Sequence, residues 1–139
     1  MVNITIVNLQ DKLRIPELRV KKLIRRILKR ENFKKAGCVN ICFTDNALIR
    51  KLNSRFLNTN RITDVLAFNL SAENEPALLA EIAISAECAI KNARCFRNLP
   101  EKELLLYVAH GILHILGFND HTKAQTQLMR NKEREYVDR

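Results

Sequence analysis

Val2-Asn3-Ile4-Thr5-Ile6-Val7-Asn8-Leu9 and Cys38-Val39-Asn40-Ile41-Cys42-Phe43, with an amphipathic stretch between them, decide the fold of this chain. The first segment alternates apolar and polar residues, the period of a strand with one buried face. Pro16 then stands where a helix can open, because the N–H it lacks has no partner in a first turn. Val20, Leu23, Ile24, Ile27 and Leu28 follow at i, i+3, i+4, i+7 and i+8, one stripe of a helix. Residues 38–43 return to strand patterning. A strand–helix–strand unit of this kind takes a right-handed crossover and brings some parallel pairing.

The remaining elements follow in order. Thr44 or Asp45 can cap a helix over 46–56, with Leu48, Leu52 and Phe56 on its inner face. Residues 57–64 are a polar connection, Val65-Leu66-Ala67-Phe68 is a short strand, and 71–76 form a loop. Leu79-Ala80-Glu81-Ile82-Ala83-Ile84 reads as the fourth strand, able to pair antiparallel with the third. Ser85 can cap a helix to about Cys95. Pro100, with Glu101 and Glu103 in the first turn, opens a helix that should run to Leu116. Thr122 and Gln125 have capping-box spacing ahead of a last helix to Tyr136. The expected architecture is α+β (mixed α/β): a small four-stranded mixed sheet with about five helices, one of them central.

A chain of 139 residues has the length of one domain, spanning 1–139. It can bury close to two-thirds of its unfolded surface, enough for a core without disulfides. No run of apolar residues is long enough to span a bilayer, and the N-terminus lacks the pattern of a signal peptide, so a cytoplasmic protein with no membrane partner is expected. Cys38, Cys42, Cys88 and Cys95 have no CxxC spacing and are expected to be small core residues.

The chemistry concentrates in His110-Gly111-Ile112-Leu113-His114-Ile115-Leu116-Gly117-Phe118-Asn119-Asp120-His121, which holds all 3 histidines of the chain. His110 and His114 are four apart, about 40° around a helix, and so share a face. Gly117 can leave the helix at positive φ, and His121 lies just past the turn. A single histidine on an apolar helix is ordinarily a satisfied core residue. Two at helical spacing and a third beyond the helix-ending glycine point instead to a divalent cation such as zinc, one per chain, with a position left for water.

The formal net charge of +9 favours polyanionic partners. It is concentrated on the first helix, where Arg19, Lys21, Lys22, Arg25, Arg26, Lys29 and Arg30 face away from the apolar stripe with no acid among residues 19–30. Like charges at i,i+4 repel. A merely solvated helix would carry glutamates among them, so Arg25, Arg26 and Lys29 are candidate contacts to a phosphate backbone.

These residues resemble the HGxLHLxGxDH signature of the YbeY family, the bacterial rRNA-maturation endoribonucleases. The resemblance fixes Gly111, Leu113 and Gly117 beside the histidines. It extends over most of the chain: Leu52-Asn53 with Phe56 is similar to LNxxYR, Thr63-Asp64-Val65-Leu66-Ala67-Phe68 to TDVLSF, and Ala80-Glu81-Ile82-Ala83-Ile84-Ser85 to GDIxIS. It implies a zinc site of His110, His114 and His121. In the family the third histidine follows the second by six residues; His121 follows His114 by seven, which leaves Asp120 as the alternative donor. The family's arginine after LNxxY is Leu57 here, with Arg55 and Arg61 flanking it as further candidate RNA contacts.

The resemblance implies a zinc-dependent single-strand endoribonuclease acting in late rRNA maturation, at the 16S rRNA 3′ end, and in ribosome quality control. Its partners would be rRNA and the small ribosomal subunit, with no organic cofactor. A non-catalytic, zinc-stabilised rRNA-binding or ribosome-binding factor is the alternative, for which Leu57 speaks. A zinc peptidase is disfavoured because Gly111 stands where HExxH has its glutamate.

Overall fold

The structure, a computed structural model, describes residues 1–57, 64–71 and 74–138. Its elements run β1 (Val2–Asn8), α1 (Glu17–Arg30), β2 (Ala36–Thr44), α2 (Asn46–Leu57), β3 (Val65–Asn69), β4 (Ala77–Ser85), α3 (Ala86–Phe96), α4 (Pro100–Ile115) and α5 (Lys123–Val137). This is the expected element order and an α+β fold. The polar connection at 58–63, which includes Arg61 and Thr63, lies outside the described residues.

The four strands form one mixed sheet in the order β1-β2-β4-β3. β1 pairs parallel with β2, and β2 parallel with β4. β3 runs antiparallel to β4, as the short intervening loop requires. Strand alternation then sorts the side chains. Val2 and Ile4 of β1, Val39, Ile41 and Phe43 of β2, and Leu78, Ala80, Ile82 and Ile84 of β4 all enter the main core. Against them pack the α1 residues Val20, Leu23, Ile24, Ile27 and Leu28, the same five that the periodicity selects. The opposite face has a smaller core of Ile49, Leu66 and Ala83, with Leu52 and Phe68 beside it under α2.

The cysteines depart from expectation. Cys38 and Cys95 are exposed, while Cys42 and Cys88 are half-buried. Strand parity explains Cys38: even residues of β2 point to the thinly covered face, away from Val39 and Ile41.

Local chemistry fixes the helix ends. Asp45 accepts from Leu48 N–H (2.8 Å) at the start of α2, and Ser85 from Cys88 N–H (3.1 Å) at the start of α3. Thr122 and Gln125 make the reciprocal capping box of α5. α4 is buried nearly all round, from Glu103 to Ile115, and lies between the sheet, α1, α3 and α5. Gly111 lets it sit close to the sheet, since a Cβ there would stand 3.1 Å from Ile82 Cγ2 and 3.4 Å from Val65 Cγ1.

Candidate metal centre

α4 ends in a Schellman motif. Phe118 N–H donates to Leu113 O and Gly117 N–H to His114 O, both at 3.0 Å, with Gly117 at φ +102°. Glycine accepts that conformation without a Cβ penalty. The turn reverses the chain directly beneath His114 and sends residues 118–122 back over the imidazole face of α4. The backbone there is tied to α5: Thr126 Oγ1 donates to Asp120 O (3.0 Å), and His121 N–H donates to Gln125 Oε1 (3.1 Å).

His110 and His114 meet edge to face, ring centroids 4.5 Å apart. Asp120 Oδ2 stands 3.4 Å from His114 Nε2 and 3.7 Å from His110 Nε2. Among the described residues, His110, His114 and Asp120 form a group whose donor atoms all lie within 4.8 Å of one another. Two donors each bound at about 2.1 Å to a tetrahedral cation lie roughly 3.4 Å apart. Two nitrogens and one oxygen at these separations therefore fit a divalent cation. The third histidine is elsewhere: His121 is exposed and outside the group.

Behind this group, His110 Nδ1 donates to Glu133 Oε2 at 2.7 Å. That bond fixes the tautomer and directs the Nε2 lone pair toward Asp120 and His114. Burial favours the neutral imidazole, but the hydrogen bond to Glu133 and the charges of Glu133, Asp120 and Asp64 outweigh it and raise the His110 pKa. A cavity of about 220 Å³ opens beside the group, lined by His110, Asp120, Asp64, Tyr107, Arg130 and Glu133 among others. Asp64 Oδ1 accepts from Val65 N–H (2.9 Å), which holds its carboxylate at the cavity wall.

Glu133 and Arg130 were not legible as site residues from motifs. The pattern that carries Glu133 is helical: it lies between Met129 and Tyr136, both buried, on the inward stripe of α5. Glu81 lies elsewhere, on the other sheet face, where it accepts from Asn40 Nδ2 (2.9 Å).

The sequence model described as Endoribonuclease YbeY matches residues 5–139. The chain belongs to the YbeY family. It is 32% identical to Endoribonuclease YbeY of Carboxydothermus hydrogenoformans over 129 residues, covering 92% of this chain and 90% of that one. It is 36% identical to the protein of that name from Flavobacterium johnsoniae over 104 residues, covering 75% and 73%. A solution structure from Thermotoga maritima, 31% identical, superposes with a TM-score of 0.66 over 99% of this chain and 87% of that one.

Against this YbeY background the basic residues divide. Arg19 pairs with Glu101 (2.8 Å) and Arg30 with Glu135 (3.6 Å). Arg25 donates to Val2 O (3.3 Å) and Arg26 to Tyr136 O (2.5 Å). The acids missing within α1 are thus partly supplied by α4 and α5, and two of its arginines brace the fold. Lys29 and Arg55 are exposed. Arg61 lies outside the described residues. No helix among the described residues is long and apolar enough to cross a membrane.

Proposed function

We propose that this protein is a metal-dependent endoribonuclease that cuts single-stranded RNA, with zinc as its cation and precursor rRNA of the small ribosomal subunit as its substrate. Late processing at the 16S rRNA 3′ end, and a part in ribosome quality control, are the cellular roles that follow, in the cytoplasm. The observation that carries the proposal is the convergence of His110, His114 and the Asp120 carboxylate beside a cavity that His110 and Asp120 line, in a chain whose relatives are named endoribonucleases.

His110 and His114 would hold the cation, with a third donor from the Asp120–His121 pair. When bound, it supplies Lewis acidity toward a phosphodiester. The chain's own groups do the rest. Glu133 orients His110. Arg130, which lines the cavity, would pair with a phosphate oxygen. Lys29 and Arg55, exposed on α1 and α2, add positive charge on the two faces of the sheet that would attract an RNA backbone. Gly111 leaves α4 without the general base of a zinc peptidase, and a Cβ there would already crowd Ile82.

The second reading, a zinc-stabilised rRNA-binding factor without cleavage, is favoured by Leu57 at the family's arginine position. Purified protein with zinc, an rRNA 3′-end fragment and casein separates the readings. The nuclease cuts RNA, loses cutting on His114→Ala, and spares casein. Tight RNA binding without cutting by the zinc-loaded wild type would replace the nuclease by the binding factor.

A further inference from the structure

We propose, building on the RNA-cleaving function put forward above, that the cavity beneath α2 takes one nucleobase of the bound RNA and favours a base that carries an exocyclic amino group.

The cavity lies on the sheet face opposite α1 and α4. It measures about 380 Å³, and its apolar walls are Leu48 and Leu52 of α2, Phe68 of β3, and Leu9 and Leu70 just past the ends of β1 and β3. Small-molecule sites occupy roughly 300–1,000 Å³. Strand pairing sets the floor. Asn40, Glu81 and Phe68 stand in one row across β2, β4 and β3, and Cys42 and Ala83 stand in the next. Glu81 is thus a carboxylate among apolar walls. Its Oε1 accepts from Asn40 Nδ2 at 2.9 Å, and its Oε2 has no hydrogen-bond donor among the described residues. Burial, and after it the Glu81 charge, raises the pKa of the Cys42 thiol, so the carboxylate acts on groups inside the cavity.

An apolar slot with one acceptor lacking a donor suits a flat apolar ligand with an N–H on its edge. The rim selects between a base and a basic peptide. Lys51 stands at i+3 from Leu48, and Arg55 at i+3 from Leu52, so both lie on the cavity side of α2, and both are exposed. Two cations there repel a basic segment and attract the phosphates on either side of an inserted base. Cytosine, adenine and guanine each carry an amino group, and acceptance from the cytosine amino group is how Glu and Asp read that base in duplexes. Uracil presents a carbonyl oxygen where cytosine has its amino group, and a carboxylate repels it. The RNA at the cation can reach this cavity over the sheet edge. β3 is an edge strand; Asp64, just before it, lines the cation cavity, and Leu70, just after it, lines this one. The extended chain from residue 64 to residue 70 spans about 20 Å, a distance that a few nucleotides cover.

The test titrates full-length, zinc-loaded wild type and Glu81→Gln with fluorescein-labelled oligocytidylate and oligouridylate of equal length. Anisotropy reads binding while gels confirm intact RNA. Wild type should hold oligocytidylate about 10-fold more tightly. Glutamine keeps the shape but offers a donor as well as an acceptor, so in Glu81→Gln the two affinities should fall within about twofold of each other. A second readout needs no variant: saturating oligocytidylate should slow alkylation of Cys42 and leave that of Cys95, exposed on α3, unchanged. Equal affinity of wild type for the two oligomers, an undiminished preference in Glu81→Gln, or an unprotected Cys42 overturns the base site, and a wild type that still cuts RNA then keeps the nuclease reading. Cys42 protected by a lysine-rich peptide and not by oligocytidylate gives the cavity to a basic protein segment instead. A wild type that binds neither oligomer overturns the nuclease reading and the base site together.

Discussion

Glu133 provides the sharpest probe of how the site is held. Its carboxylate accepts the Nδ1–H of His110 at 2.7 Å, and its side chain is only 14% exposed. Removing it with Glu133→Ala does two separable things. Without metal, a partly buried imidazole N–H loses its partner, at a cost of about 1–3 kcal/mol. With metal, His110 is freed to rotate or to take the other tautomer, and a lost outer partner of a ligand weakens binding about 10- to 100-fold. That is about 1.4–2.7 kcal/mol of binding free energy. Glu133→Gln keeps an acceptor oxygen of the same reach but drops the charge, so it should recover most of the affinity. Chelator competition gives the affinities, and thermal melts in excess chelator give the metal-free stability. A Glu133→Ala protein that melts lower yet binds zinc as tightly as wild type would refute the reasoning, because Glu133 would then support the fold and not the ligand.

Gly111→Ala should gain helix propensity of about 1 kcal/mol yet lose about 1–3 kcal/mol to overpacking, because its Cβ would meet Ile82, which is 1% exposed and packed in the core. Urea denaturation checks the sign, and a more stable variant would contradict the close packing. Glu31 joins α1 to α5 through Lys132 Nζ (3.0 Å) and the Tyr136 hydroxyl. Burial alone would raise its pKa, but these two hydrogen bonds and the Lys132 charge hold it below the ordinary 4.5. A carboxyl depressed in the folded state contributes stability above its unfolded pKa, and that contribution disappears as pH falls through the folded value. Lys132→Met should therefore cost about 1 kcal/mol at pH 7 and show a shallower loss below pH 4.5; melts giving parallel pH profiles for the two proteins would count against the latch. RNA affinity should fall with salt by about 0.7 in log–log slope per phosphate contacted, and Lys29→Ala with Arg55→Ala should flatten that slope in filter-binding titrations. An unchanged slope would exclude those two side chains from the RNA path.

Much of the fold was legible because it is written in local periodicities. The stripe Val20–Leu28 selects its own buried face, and the capping residues Ser85 and Thr122 act over three residues of chain. The pairing of His110 with His114 is equally local, a consequence of 3.6 residues per turn. Strand parity decided Cys38 and Cys42, and parity becomes visible only once both faces of the sheet have their cover: Cys38 shares a strand with Val39 but not its environment.

The amino-acid sequence by itself determined the element order, the amphipathic faces and the presence of two imidazoles on one helix, since each depends on neighbours within about one or two turns. Only the tertiary structure decided which carboxylates stand beside the two imidazoles. Asp120 reaches His114 because the Gly117 turn and the α5 cap set the direction of the returning chain, and Glu133 reaches His110 across 23 residues because α5 packs against α4. Neither contact has a sequence period. Both follow from the way two helices and a turn close on one another in space.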